Sequence, residues 1–106
     1  MNHQVGIFVF ENVEVLDFAG PYEVFTTATR LRARETPDQL ALFQVFTVAR
    51  TRETVRARAG LPIVPDYDFA THPAIDTLIV PCGVVDQELK RTEVIAWITR
   101  QAERCA

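Results

Sequence analysis

Three residues in this chain are of types and at places where chemistry is done. Asp17 lies where an apolar run, Val5 to Phe10, gives way to a helical pattern. Cys82 and Gly83 follow a second apolar run, Asp76-Thr-Leu-Ile-Val80. In an open α/β sheet both places fall at the carboxyl edge of the strands, where such folds build their sites. A carboxyl there can move a proton. A glycine N–H can meet a developing negative charge, because no side chain blocks the approach. Simpler roles are available as well: aspartate caps helices, and glycine closes turns. Cys82 shares the same edge, and a thiol near the start of a following helix is activated as a thiolate. Cys105 sits near the end of the last helical pattern, where the negative end of the dipole disfavours a thiolate. Glu23 reads as a surface charge, and Trp97 as a core or dimer contact. His3 and His72 have no metal-like spacing with either cysteine, so no metal site is expected.

The elements that must position these residues follow from periodicity. Residues 4–10 are continuously apolar, as in a strand buried on both faces. Residues 14–33 predict a helix with Val24, Phe25, Ala28 and Leu31 as its inward stripe. Gly20-Pro21 interrupts its start: either the helix begins there with proline in its first turn, or it begins near Glu14 and kinks. Residues 35–39 form a loop and 41–49 a second strand. Residues 53–58 and 61–64 flank Ala59-Gly60 as a small hairpin. Residues 66–73 read as loop or turn, and 76–80 as a third buried strand. Residues 86–104 predict one amphipathic helix, with Leu89, Val94, Trp97, Ile98 and Ala102 inward. The order β-α-β-hairpin-β-α implies a mostly parallel sheet built by right-handed crossovers, with the hairpin as an excursion. A βα unit normally returns to its sheet, so a further strand is expected beyond the last helix.

With 106 residues the chain is one domain, and with 48% hydrophobic residues it has the means to build a core. Its net charge of −3 argues against a general nucleic-acid binder. Residues 30–58 carry seven arginines and a local balance of +4, while 66–88 carry five acids and no Lys or Arg. Such runs read first as solvated faces and protected edges, and second as an anion or partner patch. Two cysteines make no disulfide framework and suit a reducing compartment. The first apolar run is too short for a signal-peptide core or a membrane span, which predicts a soluble, cytoplasmic protein with no membrane partner.

The stretch Val5-Gly-Ile-Phe-Val-Phe10 with Leu16-Asp17-Phe-Ala-Gly20-Pro21-Tyr-Glu-Val-Phe25 resembles the opening of ThiJ/PfpI proteins. Within that superfamily it is most similar to isonitrile hydratases and to the amidase-like domains of AraC-type regulators. Asp76-Thr-Leu-Ile-Val-Pro81-Cys82-Gly83 resembles the family's strand ending in Pro-Gly-Gly, with Cys82 in place of the first glycine. The resemblance implies a three-layer α/β sandwich with a flavodoxin-like sheet, of which residues 1–106 are the N-terminal part. It implies Asp17 and Gly83 as catalytic residues, with Gly20, Pro21 and Cys82 binding a small-molecule substrate. The family's elbow cysteine has no counterpart here, so these residues alone are expected to be inert and only marginally stable. No cofactor is implied, and a homodimer is. The implied activity is hydration of an isonitrile to an N-substituted formamide. The alternative is the ligand-sensing domain of an AraC-type regulator, touching DNA only through a separate C-terminal domain. A glyoxalase- or protease-like relative fits less well, because those carry Glu at the position of Asp17.

Overall fold

The computed structural model describes residues 2–83 and 86–105. Strand β1, His3–Phe8, is buried along its second half, as its unbroken apolar run demands. It pairs in parallel with β2, Phe43–Ala49, on one side and with β6, Thr77–Ile79, on the other. Strand β5, Tyr67–Asp68, extends β2, and the order β5-β2-β1-β6 is parallel throughout. This is the expected α/β architecture with a flavodoxin-like parallel sheet. The hairpin also forms, as Val55–Arg56 (β3) against Pro62–Ile63 (β4). Its turn is carried by Ala59 and Gly60 at φ 67° and 95°. Glycine adopts that left-handed region freely, and alanine rarely does.

Helix α1, Val15–Glu35, starts near Glu14 and runs through Pro21 without ending there. Its inward side differs from the predicted stripe. Val24 and Leu31 are 64% and 52% exposed. The face toward the sheet instead carries Val15 and Phe18, packed on the core. It continues through Phe25, whose ring lies 4.8 Å from that of Phe43. Thr29 completes it by accepting the Phe43 N–H at 3.2 Å. A hydroxyl that bonds a strand end thus takes an inward position that hydropathy alone gives to leucine.

The predicted helix 86–104 is two: α2, Asp86–Leu89, and α3, Thr92–Arg104. Arg91 leaves the helical region between them, at φ −90° and ψ 109°. The break re-aims the chain so that Val94 and Trp97 are buried while Leu89 stays 62% exposed. Ala102 is also exposed, and Gln101 is buried instead. Within 66–73, taken for loop or turn, the edge strand β5 forms. Asp66 anchors it by accepting the Thr47 N–H at 2.9 Å.

Trp97 is a core residue. It stacks on Phe69 at 4.3 Å and donates its indole N–H to His72 Nε2 at 3.0 Å. The core joins Phe8, Phe10, Val13, Phe46, Val48, Ile75 and Val94 around it.

Candidate functional site

The site is assembled where β1 ends. After Phe10 the chain turns through Asn12, at φ 67°. Val13 then forms a bridge with Gly83, and the Glu14 N–H donates to the Cys82 carbonyl at 2.9 Å. The loop leading to α1 is therefore tied to the loop leaving β6. The hairpin ties in from above: Asn12 N–H donates to Arg56 O at 2.8 Å, and Arg58 N–H to Val13 O at 3.0 Å. The Arg58 guanidinium also pairs with the Glu14 carboxylate.

Gly83 is required by this closeness. A Cβ there would stand 2.7 Å from Asn12 O and 2.9 Å from Val13 Cα. Both are backbone atoms, so the loops could touch this way only around a glycine.

Asp17 sits in the first turn of α1, half-buried. It is not the cap: Glu14 holds that position, and its carboxylate is turned to Arg58 instead of the helix N–H groups. Asp17 is thus an acid in the first turn, where the helix dipole favours negative charge. Cys82 is exposed immediately before Gly83. Gly20 and Pro21 lie one turn beyond Asp17 inside α1, and a Cβ on Gly20 would meet nothing within 4 Å. The structure brings Asp17, Cys82 and Gly83 to one edge of the sheet and puts Gly20 and Pro21 further along the helix. Cys105 is remote from that edge; its thiol approaches Ile75 O at 3.8 Å. Glu23 is exposed and pairs with Arg30 at 3.5 Å. His3 and His72 each bond elsewhere, to Thr77 and Pro73. Among the described residues no cluster of three potential metal ligands occurs. No helix of the described chain is long and apolar enough to cross a membrane.

Sequence reasoning missed Val13, Glu14 and Arg58, which knit the edge together. No local pattern marks them, because each acts through a partner some 44 to 70 residues away. Three of the seven arginines of 30–58 are partly neutralised by acids beside them. Arg30, Arg50 and Arg58 are each paired with an acid, Glu23, Glu93 and Glu14 respectively.

A β1/β6 switch point with an acid at the helix start and a glycine-tight partner loop defines a class of α/β site. Among solved structures, the chain matches a ThiJ/PfpI family protein from Pseudomonas syringae with TM-score 0.80 and 25% identity, over 99% of this chain and 40% of that one. An AraC family transcriptional regulator from Pseudomonas putida shares the fold, with TM-score 0.71 and 24% identity over 95% and 59% of the two chains. In fold the chain is thus similar to ThiJ/PfpI family proteins, AraC-type regulators among them. No family model matches it. In sequence it is similar to a Streptomyces lividans protein of the cpoL 5′ region, 32% identical over 81 residues, 76% of this chain and 52% of that protein. It is 29% identical to isonitrile hydratase of Pseudomonas putida over 93% of this chain and 39% of the enzyme. It is 28% identical to the HTH-type transcriptional regulator GbdR of Pseudomonas aeruginosa over 94% of this chain and 26% of the regulator. The chain spans about half the length of these curated relatives, or less.

Proposed function

We propose that the chain supplies one half of a small-molecule site in a protein that works as isonitrile hydratase does. The observation that carries this reading is the tie between Glu14 N–H and Cys82 O, beside the Val13–Gly83 bridge. It holds the helix start that bears Asp17 against the glycine loop, so a proton-moving acid and a backbone donor serve one edge. The likeness to isonitrile hydratase over nearly the whole chain supports it. In this reading a thiol from the rest of the protein adds to the terminal isonitrile carbon, forming a C–S bond as the thiol proton passes to that carbon through Asp17. Water then adds to the same carbon, the C–S bond breaks, and an N-substituted formamide leaves with the thiol restored. Gly83 N–H would face charge developing during the addition. Cys82, Gly20 and Pro21 would line the substrate's approach, and no cofactor enters. The protein would work in the cytoplasm as a homodimer, with the exposed Leu16, Val24 and Leu31 of α1 covered by the second copy.

A second reading is favoured by the likeness to GbdR, which covers the same share of this chain. There the same edge would hold a metabolite as a signal, and a separate part of the protein would contact DNA.

The test is turnover of an alkyl isonitrile by the whole protein, followed as formamide. Asp17→Asn should lower kcat about 100-fold or more with the fold intact. Wild-type kcat in that variant would remove Asp17 from the chemistry. Absence of turnover in the native protein, with ligand-dependent DNA binding, would leave the sensor reading.

A further inference from the structure

A second cleft opens at the carboxyl ends of β1 and β2, on the other side of Phe10 from Gly83 and without Asp17, Cys82 or Gly83 in its lining. It encloses about 80 Å³ and is lined by Phe10, Glu11, Arg50, Thr51, Glu88 and Arg91, among others. Arg91 occupies the break between α2 and α3. Its Nε is buried and finds no hydrogen-bond partner among the described residues. Buried polar groups are satisfied as a rule, and one attached to a cation loses most when left alone. Two of the other charges of the cleft are already engaged. Arg50 reaches Glu93 at 3.3 Å, and Glu11 accepts the Arg56 N–H at 3.2 Å. Among the described residues, what the Arg91 Nε–H lacks is an acceptor oxygen.

We propose that this cleft binds a small carboxylate, with one oxygen edge on the Arg91 guanidinium and the Glu88 carboxyl as a second donor. A planar carboxylate matches the edge of a guanidinium better than any neutral acceptor does. Burial raises the Glu88 pKa above the ordinary glutamate value, opposed by Arg91 and Arg50 and assisted by Glu11 and Glu93. A protonated Glu88 donates to a bound oxyanion and avoids repelling it. Binding therefore takes up a proton and strengthens as pH falls toward the Glu88 pKa. The neighbouring Glu11 and Glu53 disfavour a dianion, which sets acetate above sulfate, doubly charged at about pH 5.

The experiment titrates the whole protein with sodium acetate at about pH 5, near the glutamate range, and follows the Arg91 Nε–H by NMR. A ligand of so few non-hydrogen atoms has a dissociation constant on the order of 0.05 mM at best. The Nε–H should become protected from exchange and shift saturably. Arg91→Lys keeps the charge without Nε and should weaken acetate at least about tenfold. Glu88→Gln keeps a donor, so acetate should still bind, with only the pH dependence that acetate's own protonation imposes. Arg52→Gln, outside the cleft, should change nothing, and circular dichroism checks that each variant folds. Acetate binding by Arg91→Lys equal to the native chain would overturn the proposal. So would an Arg91 Nε–H indifferent to acetate, or saturation by sulfate at lower concentration.

Discussion

Replacing Gly83 by alanine tests whether the two loops at the sheet edge are packed as tightly as described. The new methyl would lie 2.7 Å from Asn12 O, 2.9 Å from Val13 Cα and 3.1 Å from Phe10 Cε2. Carbon atoms settle near 3.5 to 4.0 Å from their neighbours, so the loops must part by roughly 0.5 to 1 Å. Overpacking of this kind costs about 1–3 kcal/mol. Moving Cys82 also weakens its bond from the Glu14 N–H, at about 0.5–1.5 kcal/mol. The expected loss is therefore about 2–4 kcal/mol. For a domain of this size it appears as a fall of roughly 10–20 °C in Tm, or about 1–2 M in the urea midpoint at unchanged slope. Gly20→Ala is the matched control. Its Cβ meets nothing within 4 Å and lies inside a helix, so it should stabilise by about 0.5–1 kcal/mol. Equal stability of the two alanine variants would refute the reasoning about the edge.

Three further outcomes are expected. The Asp68 carboxyl is held below its ordinary pKa first by the Ala70 N–H and then by the Thr71 hydroxyl. The stability it adds is present above the unfolded-state pKa and lost as pH falls through the folded one, so Asp68→Asn should flatten the stability curve below about pH 4 in acid titrations. His72 accepts the Trp97 indole N–H at Nε2 and lies 2.7 Å from Pro73 O at Nδ1, which requires the Nδ1–H tautomer in ¹⁵N NMR. His72→Phe should leave the Trp97 N–H unpaired and lower stability by about 1–3 kcal/mol in denaturant titration. Finally, Val24→Arg should convert a dimer of the whole protein to monomer in sedimentation, and an unchanged dimer would place the interface elsewhere.

Much of the scaffold was legible because its signals are local. The run Val5–Phe10 has no polar break, and a strand buried on two faces is the only short element that needs none. Ala59-Gly60 marked its own turn, and Asp17 and Gly83 were placed at the sheet edge by the ends of two apolar runs. The phase of α1 was not legible, because Thr29 faces inward through a bond to Phe43 that no periodicity encodes. The break at Arg91 was hidden by residues that individually favour helix on both sides. Strand β5 was hidden by its length, two residues anchored by the Asp66–Thr47 contact. The Arg91 cleft depends on three distant segments meeting, and no spacing announces it.

The position of β1 at the centre of the sheet has a consequence for how the chain folds. Val5 pairs with Val45 and with Thr77, partners 40 and 72 residues further along. Both sides of the most apolar strand are thus completed only by distant segments, and no hairpin can shelter it early. Such pairings are slow to form, because the connecting chain must be ordered before the contacts reward it. Until β6 arrives, one flank of β1 is an unpaired apolar strand open to any other chain. Recovery of native protein should therefore fall as protein concentration rises during refolding, and substitutions that slow the β1–β6 pairing should lower yield more than they lower the melting temperature.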